Sequence, residues 1–164
     1  MPLKRVYLSL GSNVGEREET LSRAIGGLER DNICVTARSS IYETEPQDVV
    51  QQRWFLNQCV ECETRFFPLQ LLAVIQRIER ELGRERRSGA VRRGPRPIDI
   101  DILLFGDTVM TTPQLTVPHE RMLDRRFVLE PLLELAPELK YPGSREPLRK
   151  YLTKVQGQRV RKLN

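Results

Sequence analysis

At 164 residues, 39% hydrophobic and 30% charged, the chain has the material for the core of one globular domain, expected to span 1–164. No stretch approaches the roughly 20 apolar residues that a bilayer span requires. Residues Met1 to Val6 lack the layout of a secretion signal, so the expected location is cytoplasmic, with no membrane partner. A net charge of +5 points to anionic partners: nucleic acid, acidic lipid or phosphorylated small molecules.

Val6 to Leu10 alternate as a first strand. Gly11 to Gly15 read as a turn, and residues 16–30 as an amphipathic helix. Glu16, Glu18 and Glu19 favour its start through the dipole, and Leu21, Ala24, Ile25 and Leu28 recur at helical spacing. A Gly-Ser-Asn turn before a helix either receives an anion on backbone N–H groups or is ordinary turn chemistry. Ile33 to Glu43 form a second strand, and Pro46 makes Thr44 to Asp48 a loop. Trp54 to Arg65 form a third. There Phe55, Asn57 and Cys59 share one face, while Trp54, Leu56 and Val60 share the other. Phe55 with Asn57 either clamps a flat, hydrogen-bonding ring or makes a half-exposed strand face. Cys59 and Cys62 have C-x-x-C spacing but point to opposite faces. With Cys34 they are expected to be reduced, mostly buried thiols.

Residues 68–82 predict a second helix, with Pro68 in its first turn, a core stripe of Leu71, Ile75, Ile78 and Leu82, and Gly83 at its C′ position. Gln76 and Glu79 share another face. Arg84 to Pro97 follow as a long basic loop carrying Arg84, Arg86, Arg87, Arg92, Arg93 and Arg96. Its length fits a lid that closes over ligand, its charge equally a solvated loop. Next comes an apolar run interrupted by Asp99 and Asp101, two residues apart and so on one strand face, roughly 6–7 Å from each other. Ile98, Ile100, Ile102 and Leu104 fall on the other face. Carboxylates on such a strand need partners, either arginines or divalent cations. An Asp-x-Asp pair suits Mg²⁺, which takes one or two carboxylates and substrate phosphates.

Val109–Met110 and Gln114–Val117 read as short strands, and Pro118 to Met122 as a turn into a short helix. Phe127 to Ala136 have helical spacing, with Pro131 either in the first turn or at a kink. A short helix is predicted around Leu148–Val155, and the basic last residues form a loose end. The order β-α-β-β-α-β predicts an α+β fold with a ferredoxin-like core: an antiparallel sheet with helices packed on one face, plus a C-terminal α/β extension.

The motifs Leu10-Gly11-Ser12-Asn13, Tyr42-Glu43-Thr44-Glu45-Pro46, Phe55-Leu56-Asn57, Gly94-Pro95-Arg96-Pro97-Ile98-Asp99-Ile100-Asp101-Ile102-Leu103-Leu104-Phe105, Val117-Pro118-His119 and Arg125-Arg126-Phe127-Val128-Leu129-Glu130-Pro131-Leu132 occur in this order. Together they resemble the 6-hydroxymethyl-7,8-dihydropterin pyrophosphokinases of folate biosynthesis, from Tyr7 to about Tyr141. The resemblance implies a ferredoxin-like fold and transfer of the β,γ-diphosphate of ATP to the pterin hydroxymethyl oxygen, releasing AMP. It implies that Asp99 and Asp101 bind two Mg²⁺ ions, and that Thr44, Glu45, Phe55, Asn57, Asp99 and Phe127 line the pterin pocket. On the ATP side it implies Gln76, Glu79, Arg84, Arg86, Arg96, Ile102, Leu115, Thr116, His119 and Arg125. Arg84, Arg86 and Arg96, with the two aspartates, would serve the transfer itself. The implied partners are ATP and the pterin, with no nucleic acid, for a chain expected to be monomeric.

The sequence departs from some members of that family. Arg93 stands where some carry an aromatic, Phe55 where some carry Tyr, Gln114 where some carry Arg, and Glu120 where Pro or Tyr is common. Two rivals share features with it. A nucleotidyltransferase also pairs Gly-Ser with Asp-x-Asp, though usually close together in sequence. An RNA-binding module suits the fold and charge, but Val6 to Leu10 offer only Tyr7 for stacking on a base.

Overall fold

The structure, a computed structural model, describes residues 2–45, 53–84 and 97–163. In chain order the elements are β1 (Lys4–Ser12), α1 (Arg17–Arg30), β2 (Cys34–Arg38), β3 (Tyr42–Thr44), β4 (Phe55–Thr64), α2 (Pro68–Arg84), β5 (Asp99–Phe105), β6 (Met110–Thr111), β7 (Thr116–Val117), α3 (Arg126–Leu135) and β8 (Val160–Lys162). Short 3-10 helices cover Met122–Asp124 and Leu148–Val155. The main sheet runs β5-β1-β4-β3-β8, with β2 beside β3 on β4, and every pairing in it is antiparallel. β6 and β7 make a separate two-stranded ribbon. The core order agrees with the ferredoxin-like expectation.

Alternation along the strands divides the apolar residues between two layers. Val6, Leu8 and Leu10 of β1 join Leu56, Val60 and Cys62 of β4, and Ile98, Ile100 and Ile102, against Leu21, Ala24, Ile25 and Leu28 of α1 and Leu71, Ile75 and Ile78 of α2. Gly27 allows the close approach of the two helices, since a Cβ there would lie 3.3 Å from Ile78 Cγ2. Tyr7, Cys59, Leu103 and Leu104 face the opposite way, against Val128 and Leu132 of α3 and Leu148. Helices therefore cover both faces, where the sequence predicts one helical face.

Several local expectations change in the folded chain. Leu104 packs on the α3 side, apart from Ile98, Ile100 and Ile102. The register between β1 and β5 shifts between Tyr7 and Leu8, so Leu103 is an extra residue that reverses the alternation after Ile102. The predicted 33–43 strand is two strands. At the break, Ser39 N–H donates to the Cys59 carbonyl (2.8 Å), Ser39 Oγ accepts from Cys59 N–H (2.9 Å), and Gln58 Nε2 donates to the Ser39 carbonyl (2.8 Å). Gly11 and Ser12 belong to β1, paired with Asn57 and Leu56, so the turn begins at Asn13. Gly83 lies inside α2, which continues to Arg84, so glycine there serves no left-handed cap. Pro131 sits past the first turn of α3, which continues to Leu135; its absent N–H is the one that would have met the Phe127 carbonyl. Cys34 is exposed, while Cys59 and Cys62 are buried on opposite faces; burial pushes the Cys62 thiol up to about 12.

The largest difference is at the C terminus. Val160–Lys162, predicted loose, form β8 on the outer edge of β3, with Tyr42 opposite Lys162 and Thr44 opposite Val160. Arg161 reaches Glu43, which also receives Arg17 Nη1 at 3.2 Å. On the other face, Glu134 of α3 accepts from Tyr42 Oη (2.6 Å), Ser40 N–H (2.8 Å) and Ser40 Oγ (3.1 Å).

These contacts set an acid limit on stability. Burial works to raise the Glu134 carboxyl, but the hydrogen bonds from Tyr42 and Ser40 outweigh it and hold the group below its usual range. Arg161, then Arg17, hold Glu43 down against the effect of burial. A carboxyl with a depressed folded-state pKa stabilises fully above its unfolded value and loses that contribution as pH falls below it. Urea unfolding is therefore expected to show a stability gap between the protein and Glu134→Gln that is constant from pH 7 to 6. The gap should shrink below about pH 4.5. An unchanged gap at pH 3 would contradict the assignment.

Candidate active site

Residues opposite each other in an antiparallel pair share a face, so the register lays out a stripe on the α3 side of the sheet. Asp99 on β5 faces Gly11 on β1, Gly11 faces Asn57 on β4, and Asn57 faces Tyr42 on β3. One step along, Asp101 faces Ser9, which faces Cys59. Thr44 faces Phe55 on the other side of that row.

Asn57 is 3% exposed and donates from Nδ2 to Thr44 Oγ1 at 2.7 Å, which orients its amide. The missing side chain of Gly11 leaves room beside it. A Cβ at position 11 would meet Asn57 Oδ1 at 3.0 Å and Phe55 Cδ1 at 3.8 Å. Asn57 and Asp99 are thus two strand spacings apart, about 10 Å, with only backbone between them at Gly11. Phe127, in the first turn of α3, packs against the layer containing Tyr7 and Cys59, with the Arg125 guanidinium 5.4 Å from its ring centre.

At the other end of the stripe, β5 is an edge strand. The Ile100 N–H points away from β1 and donates to Glu79 Oε2 of α2 at 2.8 Å. Alternation puts the Ile102 backbone groups on that same outer edge. His119 is held beside β5 by its own N–H, which donates to the Leu103 carbonyl at 2.9 Å. Its Nδ1 accepts from the Arg121 N–H at 3.1 Å, so Nε2 carries the proton of the neutral ring and is a donor. Burial pushes the imidazole below its ordinary value. Asp101 opposes that shift, and Arg125 adds to it.

Asp99, Asp101, His119, Arg125, Phe127, Asn57, Thr44 and Phe55, separate in sequence, thus lie along the stripe or at its β5 end. Other expected site residues have additional engagements. Glu45 donates its N–H to the Arg159 carbonyl at 3.2 Å, and its carboxylate lies 3.8 Å from the Arg159 guanidinium. Gln76 is exposed on α2. The Leu115 carbonyl accepts from the Thr112 N–H and hydroxyl, the Leu115 N–H donates to that hydroxyl, and Thr116 pairs with Thr111. Arg86, Arg96 and the proposed lid lie outside the described residues, as does the Arg84 side chain. The structure adds Tyr42, Gly11 and the C-terminal segment to the surroundings of this stripe. Gly11 and Tyr42 carry a signal in the Leu-Gly-Ser-Asn and Tyr-Glu-Thr-Glu-Pro motifs; the C-terminal segment emerges only from strand pairing.

The donor set fits Mg²⁺. Asp99 and Asp101 are half-buried carboxylates on one face of a strand zipped to β1. No group of three or more His, Cys, Asp or Glu among the described residues makes an all-protein cage. A cation completed by water and phosphate oxygens needs only one or two carboxylates.

Residues 7–137 match the family profile of 7,8-dihydro-6-hydroxymethylpterin-pyrophosphokinase. The chain belongs to this pyrophosphokinase family. The Bacillus subtilis 2-amino-4-hydroxy-6-hydroxymethyldihydropteridine pyrophosphokinase is 48% identical over 134 residues, covering 81% of this chain and 78% of that protein. The Pseudomonas aeruginosa protein of the same name is 42% identical over 144 residues, with 87% of each covered. A folic acid synthesis protein of Schizosaccharomyces pombe is 42% identical over 159 residues, 96% of this chain. The chain spans only 21% of that fungal protein and 25% of a pea bifunctional folate synthesis protein. A Plasmodium falciparum HPPK-DHPS structure shares the fold, with a TM-score of 0.72 at 17% identity, covering 93% of this chain and 41% of that one. Among the described residues no helix is long and apolar enough to cross a membrane.

Proposed function

We propose that the chain is one pyrophosphokinase domain that transfers the diphosphate of ATP to the hydroxymethyl oxygen of 6-hydroxymethyl-7,8-dihydropterin, releasing AMP, in folate biosynthesis. The observation that carries this reading is the side-chain-free floor at Gly11, between the oriented Asn57 amide and the Asp99–Asp101 pair. A flat bicyclic ring lies on such a floor with its amino-pyrimidinone edge against Asn57, which offers both a donor and an acceptor. Phe55 and Phe127 supply apolar contact to the ring. The hydroxymethyl group then points towards β5.

In the reaction the hydroxymethyl oxygen attacks the β-phosphorus. The bond from that phosphorus to the α,β-bridging oxygen breaks, AMP leaves, and the hydroxyl proton passes to solvent. Two Mg²⁺ ions, held by Asp99 and Asp101 with phosphate oxygens, would neutralise charge on the diphosphate when bound. The chain's own part is positioning and charge. Asp99 and Asp101 project from one strand face, Glu79 secures the Ile100 N–H between them, and His119 and Arg125 offer an N–H donor and a guanidinium to phosphate. Ile102 offers its edge backbone groups to adenine. Gln76, Leu115 and Thr116 complete the ATP side, and Arg84, Arg86 and Arg96 brace the transferred group. Thr44 and Glu45 complete the pterin side.

Incubation with ATP, Mg²⁺ and the reduced hydroxymethyl-pterin is expected to yield AMP and the diphosphorylated pterin in equal amounts. Release of pyrophosphate instead would identify a nucleotidyltransferase, and no turnover would end the proposal.

A further inference from the structure

The start of α3 has an unusual cap. Its flanking residue Arg125 makes no side-chain capping bond, yet the Arg126 N–H is satisfied. The acceptor is Oε1 of Gln158, at 2.8 Å and 32 residues further along the chain. Nε2 of the same side chain donates to the Asp124 carbonyl at 2.8 Å, so the Gln158 amide grips the backbone on both sides of Arg125. The Arg126 guanidinium returns the contact, donating from Nη1 to the carbonyls of Gln158 (2.9 Å) and Gln156 (3.2 Å). One residue on, the Arg159 carbonyl accepts the Glu45 N–H, and Val160 pairs with Thr44. Residues 158–160 therefore add a second tie, beside the Tyr42–Glu134 hydrogen bond, between the helix whose start bears Arg125 and Phe127 and the strand bearing Thr44, which orients Asn57. Gln158, Arg159 and Val160 lie beyond residues 7–137, the part that matches the family profile.

We propose that Gln158 is a positioning residue for the pterin pocket: it sets the gap between Phe127 and the Thr44–Asn57 pair, and so the fit of the flat ring. The proposal rests on the pyrophosphokinase reading. Gln158 grips the backbone on both sides of Arg125, assigned to phosphate, and its segment also pairs with the pterin-side strand at Thr44. Its loss is therefore felt most by the pterin, which meets both walls, and less by ATP, which meets only the Arg125 wall. A residue that merely supported the fold would affect both equally.

Steady-state kinetics on the full chain, varying pterin and ATP separately, test this with Gln158→Ala and Gln158→Glu. The alanine variant is expected to raise the pterin KM about 5- to 10-fold, the scale of one or two lost hydrogen bonds, with the ATP KM within about twofold. The glutamate variant keeps an acceptor for the Arg126 N–H and is expected to fall between it and the parent. If the alanine variant does not fold, the glutamate variant carries the same test. An unchanged pterin KM, or equal rises in both KM values, overturns the proposal. Absence of AMP formation by the unsubstituted protein overturns the pyrophosphokinase reading instead.

Discussion

Alanine at Asp99 or at Asp101 is expected to lower AMP release about 1000-fold or more, with the melting temperature close to that of the parent. The magnitude follows from the chemistry. Attack at the β-phosphorus brings electrons towards a group already carrying several negative charges, and losing its cation-binding carboxylate removes about 4 kcal/mol of transition-state stabilisation. The small effect on stability follows from the register. The two side chains point from one strand face while their backbones are paired to Gly11 and Ser9, so substitution leaves the β1–β5 ladder in place. Turnover measured across a Mg²⁺ titration, beside thermal melts, checks both halves. Near-normal rates in both variants, or parent activity without any divalent ion, would reject the assignment.

Replacing Asn57 by Ala is expected to weaken pterin binding about 100-fold and to change the ATP KM little. A site that hydrogen-bonds a ring edge discriminates strongly because its polar groups have no alternative partner once the match is lost. Asn57 and Thr44, 3% and 2% exposed, are sheltered from water, so truncation also leaves the Thr44 hydroxyl without the amide it accepts from. That costs about 1–3 kcal/mol of stability. Titration of the pterin into each protein, with urea unfolding alongside, separates the two effects. Unaltered pterin affinity would show that Asn57 does not read the ring edge.

Short-range patterns carried much of this molecule. The alternation of β1 and β4, the 3.6-residue stripes of α1 and α2, and the two-residue spacing of Asp99 and Asp101 depend on residues within a turn or a few residues of each other. Each is visible without knowing what lies across the sheet. The ordered motifs from Leu10-Gly11-Ser12-Asn13 to Arg125-Arg126-Phe127 likewise announced the family, because each is a run of adjacent residues.

What the chain order could not reveal was settled by pairing between distant segments. Leu104 leaves the face of Ile98, Ile100 and Ile102 because β5 pairs with β1 through a bulge, a property of two strands together. The second predicted strand breaks at Ser39 because Gln58 and Cys59 on β4 take up its hydrogen bonds. The basic tail reads as a loose end, yet becomes a strand because β3 offers an open edge, and Glu43 and Glu45 offer counter-charges. The sequence alone thus determined which side chains could do chemistry and, for Asn57, Asp99 and Asp101, on what local element each sits. Only the tertiary structure decided which of them face one another across Gly11. Local backbone preference acts within a few residues, while strand register is chosen by the whole buried surface at once.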